Sequence, residues 1–191
     1  HKHVEDEGER PNIVSLTKLA RTLADAARGQ LLGGTKASEA ERHLYTDIVL
    51  YVLYHTYEQP LFECVLDAER GTPVDKAIAT IYTRFQEEVT HYLGIPGAIF
   101  SLGETGHIFA CFFQLRRAFH HIYDNLIGGS IASARLRAGV WQSIFTCDMR
   151  RYQRALYNRM GDITTLIVGP SGTGKELVAR AIGLSRYIAF D

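Results

Sequence analysis

The glycines and lysine of Gly169-Pro170-Ser171-Gly172-Thr173-Gly174-Lys175-Glu176 are arranged as a loop that could bind phosphate. Three glycines within six residues let a backbone wrap so that successive N–H groups point inward and form a nest for phosphate oxygens. A helix beginning at the end of the nest adds the positive end of its dipole. Lys175 can then reach the outer phosphates of a nucleotide. The pattern GxxxxGK is followed by Glu176, where a hydroxyl that holds Mg2+ usually stands, so the motif alone is imperfect. An ordinary glycine-rich turn is the plain alternative. Against it, the loop is preceded by the β-branched and apolar run Ile163-Thr-Thr-Leu-Ile-Val168 and followed by Leu177-Val-Ala-Arg-Ala-Ile182, which predicts strand, loop and helix in that order.

Other chemistry-bearing residues read more plainly. His120-His121 lies in an aromatic helical stretch, but adjacent histidines point to different helix faces, so packing is favoured over metal binding. His43 and His55 share about one helix face without a third ligand. Cys64, Cys111 and Cys147 are far apart, without CxxC spacing, as suits a reducing compartment, and Cys64 and Cys111 read as small core residues. Glu87-Glu88 shows no general-base partner. The aromatic residues of 44–126 could line a sensory pocket, although an aromatic core explains them equally. Arg150, Arg151, Arg154 and Arg159 alternate with Met149, Tyr152, Leu156 and Met160 as in an amphipathic helix with a solvated basic face. No residue is assigned a catalytic or metal-ligating role.

Gly169-Pro-Ser-Gly-Thr-Gly-Lys-Glu-Leu-Val-Ala-Arg-Ala-Ile182 resembles the Walker A segment of the sigma-54-dependent transcriptional activators, the bacterial enhancer-binding proteins of the AAA+ class. Glu176 is the residue that family has after its lysine, so the imperfection becomes part of the signature; Pro170 departs from the family's usual Glu. Ile127-Gly128-Gly129-Ser130 resembles the short box that opens the family's ATPase domain beside the adenine, and Ser185-Arg186 and Phe190 are similar to the lead-in to its second strand. The resemblance covers 127–191, with more residues between Ser130 and Gly169 than the family usually has. It implies an ATP-binding transcription regulator with Mg2+, bound through Gly169–Glu176 and Ile127-Gly128, working in the cytoplasm as a homo-oligomeric ring. It also implies RNA polymerase with sigma-54, and promoter or enhancer DNA, as partners. The family's Walker B acids, GAFTGA loop, arginine fingers and DNA-binding helices have no counterpart within these 191 residues, and the chain opens on His1, so the sequence reads as part of a longer protein.

The elements that must position the loop are mostly helices. Leu16, Leu19, Leu23 and Ala27 recur at helical spacing until Gly33-Gly34. Ser38 and Glu41 form a capping box for a helix over Glu39–Tyr57, apolar at Leu44, Ile48, Val49, Val52 and Leu53. Thr72-Pro73-Val74-Asp75 opens a helix to about Leu93, with a stripe of Ile78, Ile81, Phe85, Val89 and Tyr92. Another, about His107–Leu126, places Phe112, Leu115, Phe119, Ile122 and Leu126 on one face. Ala132–Met160 reads as two helices meeting near Thr146-Cys147-Asp148.

Length and composition agree: 191 residues, 46% apolar and 22% charged, suit a soluble globular protein and exclude collagen-like and disordered classes. Twenty-one basic and 21 acidic side chains cancel overall, which speaks neither for nucleic acid nor for an anionic membrane. They are unevenly placed, with net −6 over residues 1–110 and net +6 over 111–160. The longest apolar run, 48–54, is too short to span a bilayer, and no signal peptide opens the chain. The expected architecture is a mainly α regulatory domain (1–125) followed by the start of an incomplete α/β P-loop domain of AAA+ type (126–191). A different AAA+ remodelling ATPase, or a helical sensory module carrying a severed P-loop stub, is the alternative.

Overall fold

The structure, a computed structural model, describes residues 11–146, 151–157, 159 and 162–190. Six α-helices are described: α1 (Pro11–Leu32), α2 (Glu39–Glu69), α3 (Asp75–Leu93), α4 (Thr105–Asn125), α5 (Ile131–Phe145) and α6 (Lys175–Leu184). A 3-10 turn (Leu102–Glu104) and a five-residue π-helical segment (Tyr152–Leu156) complete them. The described residues are mainly helical. Packing divides the chain into two compact units, one of residues up to 59 with 76–105, the other of 60–75 with 106 onward. This division falls elsewhere than a boundary at 125/126, since α4 lies in one unit with the glycine-rich segment.

The first unit is tied together pairwise. Val49, Val52, Leu53, Phe85 and Val89 are fully buried. The Tyr45 hydroxyl donates to the Tyr92 carbonyl at 2.6 Å, and the Tyr92 hydroxyl donates to Asp25 at 2.8 Å, linking α2 to α3 and α3 to α1. Arg21 donates to the Thr56 hydroxyl at 2.7 Å, joining α1 to α2. Burial pushes the Tyr45 phenol up to about 12, so it remains a neutral donor at ordinary pH.

The stripe expected to bury α1 does not. Leu16, Leu19 and Leu23 are 54%, 55% and 49% exposed, while Ala24 is fully buried and Ala27 half-buried. Two neighbouring stripes run along this helix, and the small one packs. Alanines let backbones approach closely, and Arg21 and Arg28 on that side reach across to Thr56 and the His91 carbonyl.

At the start of α2 the capping box forms as read. Glu41 N–H donates to Ser38 Oγ at 3.3 Å, and Ser38 N–H and Oγ both donate to Glu41 Oε2 at 2.7 Å. Those bonds, the hydroxyl's first, hold the Glu41 carboxyl below its ordinary 4.5. A lowered carboxyl pKa contributes stability that is fully present above 4.5 and is lost as pH falls through the folded-state value. The unfolding midpoint of Glu41→Gln is therefore expected to lie below that of the parent at about pH 6 and to converge on it as pH falls through the lowered folded-state value. A difference that does not shrink on acidification would contradict the capping role.

Helix α2 runs to Glu69, twelve residues beyond the expected end, with Pro60 inside it. An interior proline removes one helical hydrogen bond and costs about 3 kcal/mol or more. Leu61, Cys64 and Val65, buried to within 4% exposure just after it, offset that cost. Helix α3 keeps its expected stripe, with Phe85, Val89 and Tyr92 buried. In α4 the buried residues include Ile108, Phe109, Ala118 and Ile122, with Leu126 buried just after it, while Phe119 is turned outward at 36% exposure and packs on Trp141 at 4.5 Å.

The core of the second unit joins α4, α5, the π-helical segment and α6 through Ala118, Ile122, Val140, Ile144, Phe145, Tyr152, Val178 and Ala181. The break expected near Thr146 is present, since Thr146 takes φ 66° and caps α5. Of the basic amphipathic stripe, Tyr152 is buried and Arg151, Arg154 and Arg159 are exposed. Met149, Arg150 and Met160 lie outside the described residues, as does Cys147.

The strand expected over 163–168 joins no β-ladder among the described residues. A strand requires a neighbour for its N–H and C=O groups, and no described segment supplies one. Leu166 and Val168 are 83% and 78% exposed, and only Ile167 of this run packs against the core. No helix is long and apolar enough to cross a membrane among the described residues.

Candidate functional site

Helix α6 holds the glycine-rich loop. Val178 and Ala181 bury its inner face at 8% and 0% exposure, which presents its N-terminal turn and the preceding loop outward. Gly174 caps the helix at φ 78°, ψ 26°, and Gly172 takes φ 75°. A Cβ at Gly172 would meet nothing within 4 Å. The need for glycine there is therefore conformational, since left-handed backbone is costly for other residues. Thr173 Oγ1 donates to the Pro170 carbonyl at 2.8 Å and closes the loop from within.

Lys175 folds back over this loop. Its Nζ donates to the Gly169 carbonyl at 3.0 Å and to the Pro170 carbonyl at 2.7 Å. Ammonium, loop and helix N-terminus thus come together, with Pro170, Ser171, Gly172 and Thr173 exposed and Gly174 and Lys175 half-buried. Glu176 is exposed in the first turn of α6, where a carboxylate suits the helix dipole and offers oxygen of the class Mg2+ accepts, directly or through water.

Ile127 and Gly128 are placed differently. Ile127 is 83% exposed. Arg137 of α5 donates to the Leu126 and Gly128 carbonyls at 2.8 and 2.9 Å while its guanidinium lies 5.1 Å from the Tyr123 ring centre. Ser130 caps α5 by accepting from Ser133 N–H at 3.1 Å. These bonds run within residues 126–137, and none among the described residues joins Ile127 or Gly128 to 169–176. Gly128 has φ 140°, and a Cβ there would stand 2.5 Å from Ser133 Oγ. Gly128→Ala is expected to cost about 1–2 kcal/mol in urea unfolding, through the backbone conformation and the displaced serine. A loss below about 0.3 kcal/mol would show that the clip tolerates a side chain.

Between α4, α5, the π-helical segment, 163–167 and α6 lies a cleft of about 680 Å3, lined among others by Gln114, Tyr152, Tyr157, Thr165, Arg186 and Tyr187. The aromatic residues of this cleft lie beyond 126, outside the 44–126 range read as a possible sensory pocket. Of the lining residues, Gln114 accepts from the Tyr152 hydroxyl at 2.7 Å and donates to the Ser185 carbonyl at 3.0 Å.

Two constellations escaped the sequence reading. Cys111 Sγ lies 3.7–3.8 Å from the His107 ring nitrogens, an i,i+4 pair in α4 that spacing could have flagged. Burial pushes this thiol up to about 12, and the His107 nitrogens already engage the Tyr187 hydroxyl at 2.9 Å and the Gln153 carbonyl at 2.7 Å. The pair is thus a packed thiol, not an activated nucleophile. The second is the approach of Glu69 to His120 and His121, for which no local sequence signal exists. The chain matches no protein-family model, no curated protein and no solved structure.

Proposed function

We propose that the loop Gly169–Lys175 binds the phosphates of ATP. The observation that carries this reading is the wrapped loop itself. Gly172 and Gly174 take left-handed backbone at the start of α6, and the Lys175 ammonium is folded over the loop carbonyls. An entering phosphate draws that ammonium from two neutral acceptors to an anionic one, a stronger charge-assisted bond, and meets the α6 N–H groups. Glu176 stands beside it to hold Mg2+ or its water. Ile127-Gly128 belongs to the same reading as a contact for the base, on the strength of its resemblance alone.

The wider reading follows from the resemblance of 169–182. The chain is part of an ATP-driven transcription regulator of the sigma-54-dependent class, cytoplasmic and homo-oligomeric. Hydrolysis, contact with RNA polymerase carrying sigma-54, and promoter or enhancer DNA binding would use residues outside this sequence. The residues up to 125 would then control the ATPase. No catalytic residue is assigned within these 191 positions.

Titration of the chain with a fluorescent ATP analogue in Mg2+ tests the reading. Saturable binding that ATP and ADP compete away, and that AMP does not, is expected from a site that holds the outer phosphates. Competition by AMP as effective as by ATP, or no saturable binding at all, would overturn it.

A further inference from the structure

A second cluster lies in the same unit as the loop, built from the last turn of α2 and the last two turns of α4. The Glu69 carboxylate accepts from or pairs with both adjacent histidines: Oε2 is 3.0 Å from His120 Nε2, and Oε1 is 3.6 Å from His121 Nδ1. One ligand atom from each of the three residues can be chosen so that all lie within 4.8 Å of one another. The two imidazoles are only 7% and 8% exposed, whereas the carboxylate is 45% exposed. The cluster therefore has buried walls and one wet edge.

Neighbouring contacts fix the rings. His120 lies against Phe62 at 5.5 Å between ring centres, and Arg116 covers Phe62 at 4.0 Å. The main chain at His121 is held as well, its carbonyl accepting from the Asn125 amide at 2.8 Å. The two histidines themselves sit 5.1 Å apart and tilted, so neighbouring positions on one helix aim different nitrogens at one carboxylate. That answers the objection that i,i+1 histidines diverge. They do diverge, and Glu69 reaches between them using both oxygens.

We propose that Glu69, His120 and His121 form a binding site for a divalent metal ion of the zinc class. Two neutral imidazoles and one carboxylate are a donor set that borderline ions accept, and hard ions such as Mg2+ or Ca2+ do not favour it. Metal–ligand bonds of about 2.0–2.1 Å place tetrahedral ligand atoms about 3.3–3.4 Å apart. The nitrogen–oxygen separations of 3.0 and 3.6 Å run to the two carboxylate oxygens and lie on either side of that edge, and the set as a whole, within 4.8 Å, is drawn together around an ion by side-chain rotation. Three protein ligands leave a fourth position open on the wet side, for water or an exchangeable ligand. The bound ion would also cross-link residue 69 to residues 120–121 within this unit.

The site needs its histidines neutral. Burial holds the His121 imidazole below its ordinary range, and the charges of His120 and Arg117 add to the effect, while Glu69 and Asp124 oppose it. The competing plain reading is a pair of histidine–carboxylate hydrogen bonds with no affinity for metal. The two differ in stoichiometric metal uptake.

The test uses the full chain with His1→Ala and His3→Ala, since the segment His1-Lys2-His3 is itself able to attract metal. After stripping with chelator, the chain is titrated with Co2+ and then Zn2+. Expected are one equivalent bound, a visible Co2+ absorption of four- or five-coordinate intensity, and its loss on adding Zn2+. Glu69→Gln and His121→Ala, with far-UV circular dichroism unchanged, are expected to weaken binding at least about 10-fold. X-ray absorption on the zinc-loaded parent needs no variant and is expected to show two imidazoles with oxygen and no sulfur in the ion's shell. Uptake well below one equivalent, binding unchanged in a folded Glu69→Gln, or a shell containing sulfur or no imidazole would each overturn the proposal.

Discussion

Lys175→Ala is expected to weaken ATP binding at least about 100-fold while leaving the helical content of the chain unchanged. An ammonium–phosphate bond contributes about 1.5–3 kcal/mol, and Lys175 is positioned to make more than one. The loss of about 3 kcal/mol corresponds to a factor of roughly 100–200 in Kd. Stability is insensitive because the two acceptors that Lys175 now engages, the Gly169 and Pro170 carbonyls, belong to exposed residues, and water can replace the amine. Lys175→Arg, which keeps the charge but not the compact point donor, is expected to fall between the two. Equilibrium titration with a fluorescent ATP analogue, alongside circular dichroism, reads both effects. Equal affinity in the parent and Lys175→Ala would remove Lys175 from the site and with it the phosphate-binding reading.

The largest effect on stability is expected at Tyr152, where Tyr152→Ala costs about 3–5 kcal/mol. This side chain is 1% exposed and packs edge-on against Phe145 at 5.2 Å between ring centres. Its hydroxyl donates to Gln114 Oε1, and Gln114, itself 3% exposed, passes the chain of bonds on to the Ser185 carbonyl just after α6. Burial pushes the phenol up to about 12, which keeps it a neutral donor over the working pH range. Tyr152→Phe retains the ring and removes only the donor, leaving a buried amide oxygen without its bond, and is expected to cost about 1–3 kcal/mol. Urea unfolding of the two variants separates packing from hydrogen bonding. If Tyr152→Phe matches the parent within about 0.5 kcal/mol, the Gln114 relay does not hold α6 in place.

The two faces of α6 place the loop. Lys175 and the glycines are exposed chemistry on a helix whose other face is core. Val178 and Ala181 are anchored against α4 and α5 through the cluster to which Tyr152 belongs. Perturbing Tyr152 should therefore reach the loop through α6, while perturbing Lys175 should not reach the core.

What local sequence could specify, it specified. The Ser38–Glu41 box starts α2, Gly33-Gly34 follows the end of α1, Phe85, Val89 and Tyr92 form the buried stripe of α3, and the chain breaks at Thr146. Each depends on interactions within a few residues: a cap, a left-handed glycine, a 3.6-residue period. The glycine-rich loop is legible for the same reason, since left-handed φ at Gly172 and Gly174 and the reach of Lys175 to residues 169 and 170 are short-range features.

Decisions that compare surfaces distant in sequence were left to the tertiary structure. Which of two adjacent stripes on α1 packs depends on close approach of small residues and on what Arg21 and Arg28 find across the interface, and periodicity is silent on both. The passage of α2 through Pro60 depends on whether Leu61, Cys64 and Val65 find a core. The 163–168 run has strand composition, but a strand is a property of a pair of segments, so its residues alone could not place it in a sheet. Glu69 meets His120 and His121 across 51 residues only because the end of α2 and α4 lie in one unit. Local preference is written residue by residue; burial and pairing are settled by whatever the fold brings opposite.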